Sequence, residues 1–159
     1  MEFALVLPLM LTLYIGASEI SQGFATDRKV TLVARTVADL SSQVSTVSNA
    51  DMNNVLNASA AVMQPFSTTP LKITVSSVVI DAQGKAVIDW SDTRNGTLRA
   101  KGAVVTLPTA LAVPNTSLIW AEVQYTYTPA VGYVVTGPLA LKDQIYMRPR
   151  LSTTVMRTI

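Results

Sequence analysis

The sequence predicts an α+β protein in which one long amino-terminal helix leads into a small head with an antiparallel sheet. The apolar run Phe3–Ala17 continues, without an intervening proline, into a stretch whose apolar residues recur at helical spacing. From Leu71 onward the apolar residues follow the two-residue period of strands. The chain has 159 residues, which is enough for one such head with an appended helix.

The predicted long helix runs from the beginning of the chain to beyond residue 43. Apolar residues at alternating spacings of three and four form one face of it: Val30, Val33, Val37, Leu40, Val44 and Val47. A helix of about 45 residues is roughly 65 Å long at 1.5 Å per residue, which is too long for the core of so small a domain. We therefore expect residues 1–17 to form a membrane-embedded part and residues 18–159 to form the head with the amphipathic half of the helix.

The segment Phe3–Ala17 has three interpretations: a cleaved secretory signal, a buried core helix or a membrane anchor. It has no basic region before it and no A-x-A site after it, which argues against a signal peptide. Its length suits a core helix, and it is shorter than the ~20 residues of a full span. Continuity with the amphipathic stretch favours the anchor. Glu2 is costly in lipid unless it is paired, and Pro8 is tolerated better in membrane helices than in soluble ones.

After the long helix the sequence predicts a second short helix and about four strands. The helix ends before Pro65, and the turn at 81–84 joins the first two strands into a hairpin. In the strongest strand pattern one face carries Trp120, Glu122, Gln124 and Thr126, and the other face is apolar apart from the tyrosine hydroxyls. The predicted ranges are 52–63 for the helix and 72–80, 85–91, 117–128 and 141–148 for the strands.

Composition excludes several classes of function. The chain has no cysteine and no histidine, which removes disulfides, thiol nucleophiles and the residues that most hydrolases and zinc enzymes use. The net charge is only +2 and the basic residues are scattered, so we expect no nucleic-acid partner. No phosphate-binding glycine loop or calcium-loop spacing is present. We therefore expect no catalytic residue, no metal, no cofactor and no small-molecule substrate.

The first nine residues, Met-Glu-Phe-Ala-Leu-Val-Leu-Pro-Leu, resemble the amino-terminal signature of the TadE/TadG-like family, the minor pilins of tight-adherence (Flp-type) pili. The family's acidic residue corresponds to Glu2 and its proline to Pro8, whereas Met1 stands where the family often has valine. The resemblance implies a pilin-like fold, with a helix in the bacterial inner membrane and a head in the periplasm.

The resemblance further implies a non-enzymatic minor pilin or pilus-assembly protein, either TadE-like or TadG-like. Its expected partners are other pilin-like subunits, the pilus assembly platform and membrane lipid, and incorporation into the pilus itself is left open. We expect Glu2 to pair with a neighbouring subunit's amino terminus or a basic group of the platform, and Gly16 to permit close helix approach. The expected stem residues are Glu2, Phe3, Pro8 and Gly16, and the residues that pack the stem on the head are Val30, Val33, Val37, Leu40 and Val44.

An alternative is a membrane-tethered periplasmic binding module. Trp90 or Trp120, with neighbouring tyrosines, would then recognise a ligand or a cell-wall component. Burial of these aromatic side chains in the core is the simpler explanation of their presence.

Overall fold

The computed structural model describes residues 2–129, 132 and 137–158, and within the first helix it does not describe the side chains of residues 2, 4 and 5. The described residues form two α-helices and seven strands. In chain order these are α1 (Glu2–Ser42), β1 (Thr46–Val47), α2 (Asn49–Ala61), β2 (Leu71–Ile80), β3 (Ala86–Arg94), β4 (Val104–Val105), β5 (Thr116–Tyr127), β6 (Leu139–Met147) and β7 (Met156–Arg157).

Five of the strands form an antiparallel sheet in the order β4-β3-β2-β5-β6, and β1 and β7 form a separate parallel pair. The predicted α+β class, the long helix, the second helix and the antiparallel sheet are confirmed. The expectation of about four strands was slightly wrong. The fifth strand of the sheet, β4, is only two residues long, and so are β1 and β7. Strands this short are too short to show an alternation of apolar and polar residues in the sequence.

The main core lies between the carboxyl-terminal half of α1 and the sheet. Val30, Val33 and Val37 are fully buried in it, and Ala34 and Ala38 complete the same helix face. On the sheet side the core is formed by alternate residues of the two central strands, among them Ile73, Val75, Ala121 and Val123. The head is therefore organised around this helix face.

The last two expected packing residues on the helix lie at its margin. Leu40 is half-buried, and Val44 is half-buried beyond the end of α1. The helix stops at Ser42, whose carbonyl oxygen accepts a hydrogen bond from the Arg150 amide at 2.9 Å. The heptad-like spacing thus continues past the helix end, because Val44 still packs against the main core.

A complete capping box begins α2. The Ser48 hydroxyl accepts a hydrogen bond from the Asp51 amide at 3.2 Å, and the Asp51 carboxylate accepts one from the Ser48 amide at 3.0 Å. The hydrogen bonds from Ser48 hold the pKa of the Asp51 carboxyl below its ordinary value. This cap fixes where the chain enters α2 after the short strand β1.

A second, smaller core lies on the opposite face of the sheet. Val78, Ile88, Leu118 and Trp120 point to that face, and the segment 103–111 covers them in part. The two faces of the sheet are therefore covered by different parts of the chain, α1 and α2 on one side and the segment after β3 on the other. Beside this second core, the outer face of the sheet around Thr74, Glu122 and Gln144 is open and polar.

Candidate functional site

The amino-terminal half of α1 exposes large apolar side chains on every side of the helix. Phe3, Leu9, Leu13 and Tyr14 are 72%, 60%, 66% and 75% exposed, and of the side chains described between Phe3 and Tyr14 only Thr12 is half-buried. Exposed apolar surface of this extent is unusual for a monomeric soluble protein and marks an interaction surface. We call Phe3–Tyr14 the apolar stem.

The structure places the expected stem residues along this part of the helix. Phe3 and Pro8 are exposed within the apolar stem, and Pro8 lies inside α1. Gly16 is buried and lies two residues beyond the apolar stem. The side chain of Glu2 lies outside the described residues. Among the residues that the structure describes, no helix is both long and apolar enough to cross a membrane.

Exposed apolar residues continue along α1 beyond the apolar stem. Ile20 and Phe24 are exposed, and with Ala17 and Arg28 they border a shallow groove on the helix. Buried residues such as Thr26 alternate with them at helical spacing. The helix thus has a sheet-facing side and an apolar side that the described part of the chain leaves uncovered.

A polar cleft of about 870 Å³ lies on the sheet face opposite α1. Residues of β2, β5 and β6 form its floor, and the turn Asn95–Ala100 forms its wall. We call it the outer cleft. The strand register arranges the floor in cross-strand rows. Lys72, Gln124 and Lys142 form one row, and Thr74, Glu122 and Gln144 form the next.

One ion pair joins the wall of the outer cleft to its floor. Arg99 donates two hydrogen bonds to the Glu122 carboxylate, from Nε and from Nη2, each at 2.8 Å. The Arg99 guanidinium lies 3.9 Å from the centre of the Trp120 ring, which stacks on Tyr146 at 5.5 Å between centroids. Burial, followed by the nearby Glu122 charge, raises the pKa of Tyr146, and the Arg99 charge acts in the opposite direction. This bidentate pair fixes the wall against the sheet.

Residues 1–39 match the family model of TadE-like proteins. The resemblance read from the first nine residues is therefore confirmed over nearly all of α1. The TadE-like segment contains the apolar stem and the first buried residues of the main core. No curated protein and no solved structure shows a significant match to the chain. TadE-like proteins are a structural family of Tad pili, so the match indicates that this chain is related to Tad pili. It also indicates an association with the cell envelope.

Neither tryptophan is open to a ligand. Trp90 is 7% exposed and donates from Nε1 to the Val155 carbonyl oxygen at 2.7 Å, and Trp120 is 7% exposed beneath Arg99. Among the described residues, no three carboxylates lie close enough together to hold a metal ion. The two tryptophans proposed from the sequence as candidate ligand contacts are thus core residues.

Sequence reasoning missed the outer cleft. Lys72, Arg99 and Lys142 are far apart in the chain, and only the register of three strands and the turn after β3 bring them together. One signal was present, because Glu122 and Gln124 lie on the polar face of the strongest predicted strand. That alternation indicated that one face of the sheet is uncovered. It could not identify the residues of the neighbouring strands on that face.

Gly96 permits the close approach of the cleft wall to the sheet. A Cβ atom at this position would lie 2.5 Å from the Thr93 hydroxyl oxygen and 2.8 Å from the Thr74 hydroxyl oxygen. We expect Gly96→Ala to displace the turn and to lower the free energy of unfolding by about 2 kcal/mol, measured by urea denaturation. In a Thr74→Ala, Thr93→Ala background the same replacement should cost clearly less. An equal cost in both backgrounds would contradict the steric explanation.

Proposed function

We propose that the chain is a non-catalytic minor pilin or pilus-assembly subunit of a TadE-like system. The apolar stem packs against other pilin-like subunits and against the assembly platform. The single observation that carries the proposal is the exposure of large apolar side chains around the whole stem, within the segment that matches TadE-like proteins. Contacts with these partners bury the exposed apolar side chains of the stem, and the head remains folded on its own core.

The finer parts of the proposal follow from the resemblance at Glu2–Pro8. Residues 1–17 act as the assembly segment at the bacterial inner membrane, and the head lies in the periplasm. Glu2 pairs with a neighbouring subunit's amino terminus or a basic group of the platform, because a carboxylate in apolar surroundings is costly without a partner. Gly16 permits helices to approach closely.

The test of this proposal is a charge placed in the apolar stem. We expect Leu13→Asp to abolish pili in the source organism and to remove co-purification with pilin-like subunits, because a carboxylate at a 66% exposed apolar position disrupts an apolar contact. Fractionation of the same cells should find less of the variant with the envelope, and Glu2→Ala can be assayed alongside it.

The matched control is Leu151→Asp. Leu151 is 72% exposed and lies in the head, outside the TadE-like segment. This variant makes the same chemical change on a comparably exposed leucine, so we expect normal pili. Normal pili and normal co-purification with Leu13→Asp would overturn the assembly role.

A further inference from the structure

Among the described residues, the floor of the outer cleft carries two cationic side chains without an ion-pair partner. Lys72 and Lys142 are exposed, and no salt bridge joins either of them to a carboxylate among the described residues. Arg99, the third cation of the cleft, is engaged by Glu122. Asp143 also borders the cleft, and its carboxylate accepts a hydrogen bond from the Gln144 amide at 2.7 Å. The two lysines are therefore the groups available to an anion.

The two lysines lie on one row and are separated by Gln124. Because neighbouring strands are roughly 4.8 Å apart, their α-carbons are about 10 Å from each other across the row. Between and beside them are neutral donors and acceptors, the amides of Gln124 and Gln144 and the hydroxyl of Thr97, whereas the Asn95 amide and the Thr74 hydroxyl already hydrogen-bond within the protein. The arrangement suits a ligand that carries two negative groups with hydroxyls between them.

An acidic peptide fits this surface less well. A peptide that binds a sheet usually adds to its edge through main-chain hydrogen bonds, whereas the floor of the outer cleft is a sheet face whose backbone groups are already paired. Alternate side chains of an extended peptide are about 7 Å apart, which is shorter than the lysine row. Single-stranded nucleic acid needs an open aromatic surface, and Arg99 and Tyr146 cover Trp120.

We propose that the outer cleft binds an acidic oligosaccharide of the uronic acid type. Lys72 and Lys142 each form a charge-assisted hydrogen bond to one carboxylate, and Gln124 and Gln144 hydrogen-bond the hydroxyls of the intervening sugar. The ion pair of Arg99 with Glu122 holds the wall in place for this contact. The site lies on the head, away from the apolar stem, and does not depend on the assembly role.

The experiment is calorimetric titration of the full chain, in an uncharged detergent at low salt, with the galacturonic acid tetramer. We expect Lys72→Gln and Lys142→Gln each to weaken binding about tenfold, because each removes one charge-assisted contact. Lys85→Gln is the matched control. Lys85 is an exposed lysine in the β2–β3 turn outside the cleft, and its replacement should leave the affinity unchanged.

Two further ligands define the chemistry of the site. Neutral maltotetraose and the acidic peptide hexaglutamate should both bind much more weakly than the galacturonic acid tetramer. Amide resonances of Gln124 and Gln144 side chains should shift only with the acidic sugar. The proposal is overturned by absence of binding, by equal affinity for either control ligand, or by affinity that survives in the double variant Lys72→Gln, Lys142→Gln. Because both lysines are exposed, thermal unfolding of these variants should match the unaltered protein and exclude misfolding.

Discussion

Val37→Asp should destabilise the head more than any other single change considered for this protein. Val37 is fully buried in the main core, between α1 and the sheet. A carboxylate at this position would be buried among apolar side chains. An unpaired buried charge costs about 4 kcal/mol or more. The whole stability of a domain is typically only about 5–15 kcal/mol, so most of it would be lost. Urea denaturation of the full chain, followed by circular dichroism, measures the effect.

The matched control for this prediction is Leu32→Asp on the same helix. Leu32 is 46% exposed, so the same new charge remains hydrated and we expect a change within about 0.5 kcal/mol. Nearly equal unfolding midpoints for the two variants would show that the head does not depend on the buried face of α1. A large difference would locate the stability of the head on that face.

The same valine face explains why the long helix could be read from the sequence. Val30, Val33 and Val37 bury on one side because their spacing follows the helical period, and the segment contains neither proline nor a turn signal to interrupt it. The end of the helix was less readable. Val44 keeps the period, but Ser41 and Ser42 favour helix ends weakly, and the distant amide of Arg150 caps the Ser42 carbonyl.

The outer cleft could not be predicted from the sequence, for a different reason. Alternation in β5 predicts that Glu122 and Gln124 share a face, but it does not say which strands lie on either side. The neighbours of Gln124 are set by the order β2-β5-β6, which places Lys72 and Lys142 beside it. Pairing between strands distant in the chain is a property of the whole sheet, so a single local pattern could not identify the row.

The contacts of Arg157 in β7 could not be predicted from the sequence either, and they lead to the second large prediction. Arg157 donates to the Asp92 carboxylate from Nε at 2.8 Å and from Nη2 at 3.2 Å, and also to the Asn49 side chain at 2.6 Å. It further donates to the Val47 carbonyl oxygen at 3.2 Å. These contacts join β7 to β3, to β1 and to the first residue of α2, and none of them follows from local spacing.

Arg157→Met should lower the free energy of unfolding by about 2 kcal/mol. The side chains of Arg157 and Asp92 are only 16% and 25% exposed, so loss of the guanidinium leaves a largely buried carboxylate without its main partner. Arg150→Met is the control. Arg150 also pairs with an aspartate, Asp39, but its side chain is 58% exposed, and we expect a cost below about 1 kcal/mol.

A double-mutant cycle separates the pair from the other contacts of Arg157. If the stranded Asp92 carboxylate causes most of the loss, Asp92→Asn combined with Arg157→Met should cost clearly less than the two single costs added together. Strict additivity in urea denaturation would instead assign the loss to the bonds with Asn49 and the Val47 carbonyl. The pair holds β7 against β3, next to the fully buried Val155. Its removal should therefore also speed the hydrogen exchange of the backbone amides around Val155.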